Sequence, residues 1–169
     1  VTAPFQDLVD KIADQERVPR AVAQALVDTE NIKRNPAIAI RESYGGGSFG
    51  LTMITLTTAR GLGFTGTPGQ LLAPDTNLTY GLRYLRQMFD QVGQGSWSRA
   101  RAGYNAGPDL SPWPAADVAR FERNLARWSG PSPGFQKPPI QIAGIGGWLL
   151  PLVILGFLLP LLFTRRRST

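Results

Sequence analysis

The stretch "APDTNLTYGLRYLRQMFDQVG", residues 73–93, decides the fold. Leu78, Leu82, Leu85, Met88, Phe89 and Val92 recur in it at helical spacing and form one sustained apolar stripe. Asp75 offers a cap before the stripe and Gly93 a stop after it. A stripe of this kind needs helical partners, and the sequence on either side supplies them. In "PFQDLVDKIADQER" (4–17) the residues Phe5, Leu8, Val9 and Ile12 share a helical face. Pro19 suits the first turn of a helix that reaches Glu30. "WSRARAGYNAG" (97–107) and "PAADVARFERNLARWSG" (114–130) supply two more, the last striped by Val118, Phe121, Leu125 and Trp128. "YGGGSFG" (44–50) and "GFTGTPG" (63–69) read as loops, and neither an internal repeat nor a convincing strand emerges. The expected class is all-α.

The 169 residues suffice for one domain with a core and something extra. With no cysteine and no histidine, Ser-His and Cys-His catalysis, disulfides, and thiolate or imidazole metal sites are excluded. Any chemistry falls to carboxylates, hydroxyls, Lys or Tyr, and no cofactor is implied. The net charge of +6 is unevenly spread. Residues 1–130 carry 14 Lys and Arg against 12 acids, a net of +2, and the rest is Lys137, Arg165, Arg166 and Arg167. Those four flank an apolar block, which is a membrane signature and argues against a nucleic-acid partner.

Composition shifts abruptly near Ser129. "SGPSPGFQKPP" carries four prolines and two glycines and reads as an extended linker, placed at 131–139 after a domain over 1–130. The next segment, "IQIAGIGGWLLPLVILGFLLPLLF" (140–163), contains no charge. At about 1.5 Å per residue it covers roughly 36 Å, enough for a hydrocarbon core of about 30 Å, so a transmembrane helix in a lipid bilayer is expected. The arginines of the tail 164–169 place the C-terminus in the cytoplasm and the domain on the opposite, cell-wall side. Asp7, Asp10 and Asp14 leave no apolar core for a signal peptide in the opening residues; Val1 fits either loss of an initiator Met or cleavage of a leader.

"ALVDTENIKRNP" (25–36) poses the chemical question, because an apolar helical run ends on Glu30 with nothing basic immediately beside it. On a helical wheel with Val22 at zero, Ala25, Leu26 and Thr29 stay within about 60° of the stripe. Glu30 falls near about +80° and Asp28 near about −120° on the same wheel. Glu30 therefore lies at the edge of the buried face and Asp28 further out. A carboxyl half-buried against apolar neighbours holds its proton more readily, as a general acid for glycosidic cleavage must. The plainer reading is a cap, or a salt bridge to Lys33 or Arg34 at helical spacing.

Three further segments change the balance: "SFGLTMITLTTARGLG" (48–63), "APDTNLTYGLRYL" (73–85) and "AGYNAGP" (102–108) follow Glu30 in that order. Together with it they resemble the soluble lytic transglycosylase family, lysozyme-like enzymes that cleave peptidoglycan. Asn77, Gly81, Tyr84 and Leu85 match one family element, and Tyr104, Asn105, Ala106 and Gly107 another. The resemblance implies a lysozyme-like helical domain with Glu30 as catalytic acid and Tyr104 lining the cleft and orienting it. It also implies Asn105 as a sugar contact, Ser43 near the serine that binds an N-acetyl group, and Gly50 and Leu51 as a cleft-lining turn. Asn31 replaces the usual Ser after the acid, Gly103 replaces Ala before Tyr104, and Thr52 and Met53 stand where Met and Gln are usual, so Met53 takes the place of a sugar-binding amide.

The resemblance further implies the reaction. The muramyl N-acetyl group assists departure of the leaving sugar, and Glu30, first acid and then base, helps the sixth-carbon hydroxyl close onto the anomeric carbon. The product is a 1,6-anhydro-MurNAc end. Two alternatives stand: a muramidase on the same fold, with Glu42, Asp28 or Asp75 as second carboxylate, or a non-catalytic peptidoglycan-binding membrane anchor. A wall-cutting domain with a terminal span suits a phage, in a virion membrane or an entry apparatus, and also a bacterial envelope enzyme, with virion or envelope assembly partners in either setting. Trp97 and Trp113 are expected in the core in preference to stacking on sugar.

Overall fold

The computed structural model describes residues 2–40 and 46–130. The expected linker 131–139, span 140–163 and basic tail 164–169 lie outside the described residues, as do Glu42 and Ser43. Among the described residues no helix is long and apolar enough to cross a membrane.

Six α-helices carry the architecture: α1 Gln6–Gln15, α2 Arg20–Glu30, α3 Leu56–Gly61, α4 Pro74–Met88, α5 Trp97–Ala106 and α6 Ala115–Ser129. Helix α2 is the axis of the bundle. Val22, Ala23, Gln24, Ala25, Leu26, Val27 and Thr29 are all buried, because α1 and α6 cover it on different sides. The buried Gln24 fastens α1 to it, its amide Nε2 donating to the carbonyl of Gln6 at 3.0 Å and to Asp10 Oδ1 at 2.7 Å. At the far end Asn124 of α6 donates to the hydroxyl of Thr29 at 2.9 Å, and that hydroxyl donates to the Ala25 carbonyl at 2.7 Å. These bonds fix the angle at which α2 delivers its last residue, Glu30.

The stripe read from residues 73–93 is buried as expected, with Leu78, Leu82, Leu85 and Met88 essentially inaccessible. Its start differs. Ala73 is the cap residue and Pro74 the first helical position, which its fixed φ favours, so Asp75 sits inside the first turn and does not cap. At the other end α4 runs into a π-turn, Phe89–Gly93, and stops at Gln94 in a left-handed conformation. Trp97 stacks on Phe89 with ring centroids 4.0 Å apart, inside the packing as expected. Trp113 does not follow that expectation: it is 46% exposed.

An antiparallel sheet of three very short strands departs from an all-α reading: β1 Ala39–Ile40, β2 Ser48–Phe49 and β3 Ile54–Thr55. Ile40 pairs with Ser48, Ser48 with Thr55 and Phe49 with Ile54. Two-residue strands are too short for a period-two pattern to register, so "YGGGSFG" reads as loop although its end is strand. Phe49, Ile54, Ala59, Phe64 and Leu71 form a small core beneath the sheet, separate from the main core of α1, α2, α4, α5 and α6. Tyr84 of α4 packs against both.

Candidate active site

A cleft of about 630 Å³ opens between the helical core and the small sheet. Glu30 lines it from the end of α2, Ile40, Ser48, Met53, Thr55 and Thr58 from the sheet side, and Tyr84 from α4. Tyr104 and Asn105 of α5, with the Ala106–Pro108 exit, close the remaining wall. Of the residues singled out by sequence, Glu30, Met53, Tyr104 and Asn105 therefore share one cleft. Leu51 does not line it: its side chain is fully buried in the main core. Gly50 is absent from the lining too, and its contribution is to the backbone. With φ at +70° its conformation is left-handed, and a Cβ there would sit 2.4 Å from Nδ2 of Asn77.

That contact explains the turn which carries Met53. Asn77, wholly buried on α4, satisfies all four of its amide hydrogen-bonding sites. Its Oδ1 accepts from the Thr52 backbone N–H and the Thr52 hydroxyl, both at 2.9 Å. Its Nδ2 donates to the carbonyls of Phe49 at 2.7 Å and Leu71 at 3.1 Å. The clamped turn presents Met53 with φ at +48°, a strained conformation for a residue with a side chain. Asn31 ties the α2 exit to the same turn. It is buried and donates to the carbonyls of Asn35 at 2.7 Å and Gly50 at 3.2 Å. Gly103 has a packing reason, since a Cβ there would meet Val92 at 2.9 Å and Met88 at 3.1 Å.

Tyr104 reaches inward from the cleft wall and donates to the carbonyl of Thr52 at 2.8 Å. The ring packs at 52° against Tyr84, centroids 5.1 Å apart. Burial first, and the negative charge of Glu30 second, push its hydroxyl well above the usual tyrosine range. A phenol so placed stays protonated and acts as a fixed strut.

Glu30 lies at the edge of the buried face with its side chain 16% exposed, but it is not without a cation. Arg101 of α5, itself 1% exposed, approaches it with Nη2 2.6 Å from Oε1. Neither local cation competes for it: Arg34 binds Asp28 at 2.8 Å, and Lys33 is exposed. Sequence reasoning missed Arg101 because the two helices are far apart in the chain. Its one signal was an arginine three residues before Tyr104, at the spacing that shares a helical face. Asp28 is more enclosed than the wheel implied. Trp128 of α6 covers it, donating to Oδ2 at 2.7 Å while Arg34 takes Oδ1. Asp75 lies against a separate shallow depression with Phe64 and Tyr80. Among the described residues, the cleft lining holds one carboxylate, Glu30.

A family model for the transglycosylase SLT domain matches residues 7–114, a span that contains every cleft residue named above. The chain belongs to that family. Solved structures with the same fold include an inactive Glu→Gln mutant of lytic transglycosylase Slt from Pseudomonas aeruginosa, at 20% identity and a TM-score of 0.61 over 75% of this chain. The 70 kDa soluble lytic transglycosylase from Escherichia coli superposes at 24% identity and a TM-score of 0.59 over 76% of it. A complex of the 70-kDa soluble lytic transglycosylase with bulgecin A matches at 26% identity and 0.54 over 72%. This SLT chain spans 24%, 25% and 21% of those three proteins respectively, so it corresponds to about a quarter of their length. No curated protein matches it.

Proposed function

We propose that the chain is a peptidoglycan lytic transglycosylase, with Glu30 as general acid and then base. One observation carries the reading: a single carboxylate, Glu30, lines the described cleft, largely buried and beside Tyr104. Hydrolysis by two carboxyls needs a second at about 5 Å or 6.5–9.5 Å. Asp28 is occupied by Arg34 and Trp128, and Asp75 lies elsewhere. Asp117 is held by Asn105 and Arg120 behind Arg101 and does not line the cleft, and Glu42 lies outside the described residues. An intramolecular closure needs no such partner. Glu30 gives its proton to the leaving oxygen as the glycosidic bond breaks, assisted by the muramyl N-acetyl group. The resulting carboxylate takes the proton of the sixth-carbon hydroxyl, whose oxygen bonds to the anomeric carbon. The fold shared with lytic transglycosylases and the SLT match support the same chemistry.

Asn105 and Ser48 offer polar contacts to the sugar, and Met53 an apolar one in place of an amide. The uncharged run 140–163 followed by three arginines supports an anchor that holds the domain on the wall side of a membrane, with a cytoplasmic C-terminus. Mass spectrometry of muropeptides released from purified sacculi tests the reaction. The wild type should release 1,6-anhydro-MurNAc ends, and Glu30→Gln should lower release at least about 100-fold. Reducing muramyl ends would replace the transglycosylase reading with hydrolysis, and an inactive wild type would leave a glycan-binding anchor.

A further inference from the structure

The cation beneath Glu30 is poorly satisfied for a structural residue. Arg101 is buried, yet its Nε and Nη1 find no hydrogen-bond partner among the described residues. Buried donors left unmade are costly, so fold stability alone is a weak reason to keep an arginine there. Its contacts are one-sided: two are cleft residues, Glu30 and Tyr104, and the third is Asp117. Nη2 is 2.6 Å from Glu30 and 3.6 Å from Asp117 Oδ2, and the guanidinium carbon stands 5.6 Å from the centre of the Tyr104 ring. Asp117, on the first turn of α6, is also bound by Asn105 Nδ2 at 2.6 Å and by Arg120.

From this geometry we infer that Arg101 is a positioning residue which sets the proton occupancy of Glu30, and that Asp117 moderates it by sharing the same guanidinium. The inference rests on Glu30 being the proton donor proposed above. A guanidinium in contact favours the ionised carboxylate and burial disfavours it, so the two act in opposition. Ionisation helps the second half of the reaction, when Glu30 must accept a proton, and hinders the first. Asp117 draws part of the charge away and is itself an anion near the site. Among the described residues, other charged or titratable groups around Glu30 are Tyr104, kept neutral; Tyr84, packed on Tyr104; Arg120, bound to Asp117; Asp28, bound to Arg34; and the exposed Lys33. Asn105 couples this arrangement to substrate, because it lines the cleft and also holds Asp117.

The two partners predict opposite effects. An acid works only while protonated, so activity falls as pH rises through its ionisation. Arg101→Met removes the cation and should move the alkaline limb of kcat/KM upward by about one pH unit. Asp117→Asn leaves Arg101 wholly to Glu30 and should move the limb downward, while Arg101→Lys should restore it close to wild type. Carbon-13 NMR titration of the Glu30 carboxyl in the full chain, assigned by its absence in Glu30→Gln, reads the same shifts without turnover. A merely structural arginine moves neither midpoint, and midpoints that stay put or move in one direction overturn the inference. Should Arg101→Met fail to fold, the downward shift in Asp117→Asn, at a partly exposed position, decides alone. A wild type that titrates as expected but cleaves nothing would sink the activity reading and leave the charge sharing intact.

Discussion

The hydroxyl of Tyr104 donates to the backbone carbonyl of Thr52 at 2.8 Å, so the α5 wall of the cleft is bolted to the turn that presents Met53. This bond joins the two sides of the site. Its strength depends on a phenol that remains neutral.

Burial raises the Tyr104 ionisation above its value in the unfolded chain, with the charge of Glu30 adding to it. The unfolded tyrosine loses its proton near about pH 10 while the folded one keeps it. The stabilisation is therefore complete below that pH and declines above it. Urea unfolding should show stability falling above about pH 10 by up to about 1.4 kcal/mol per pH unit from this group. Tyr104→Phe should lack that component and, near neutral pH, lose about 1 kcal/mol with the bond to Thr52. Equal alkaline slopes in the two proteins would contradict the assignment.

Asn77 holds the other side of the turn through four bonds and is wholly buried. Asn77→Ala leaves the Thr52 N–H and the carbonyls of Phe49 and Leu71 without that partner. A loss of about 3 kcal/mol or more is expected in chemical denaturation. A cost below about 1 kcal/mol would show that the turn holds itself.

Asp28 is the nearest carboxylate to Glu30 in sequence, and its oxygens are committed to Arg34 and Trp128. Asp28→Asn should destabilise the fold by about 1–3 kcal/mol, because Arg34 is 3% exposed and loses its counter-charge. Muropeptide release per folded molecule should change little. A collapse of release in a stably folded variant would identify Asp28 as a second catalytic carboxylate.

Much of the frame was legible from local pattern. The stripes of α1, α4 and α6 follow from 3.6-residue periodicity, and the place of Glu30 at the end of α2 follows from a wheel. The motif around Tyr104 was readable for the same reason, since its residues are neighbours in the chain. Less legible were groups whose role depends on convergence. Leu51 belongs to a motif segment, yet its side chain faces the core because Gly50 and the Asn77 clamp turn the backbone there. Asp28 looked exposed because a wheel for α2 contains no Trp128 from α6.

The sequence by itself determined which segments coil, which faces they bury, and that chemistry must fall to carboxylates, hydroxyls, Lys or Tyr in a chain without histidine or cysteine. Tertiary structure alone decided that Glu30 meets Arg101, that Asp117 competes for the same cation, and that three two-residue strands wall the cleft. The reason is physical. Helical faces are set by neighbours three and four residues away, whereas an ion pair between α2 and α5 exists only once the packing of α4 and α6 has brought those helices together.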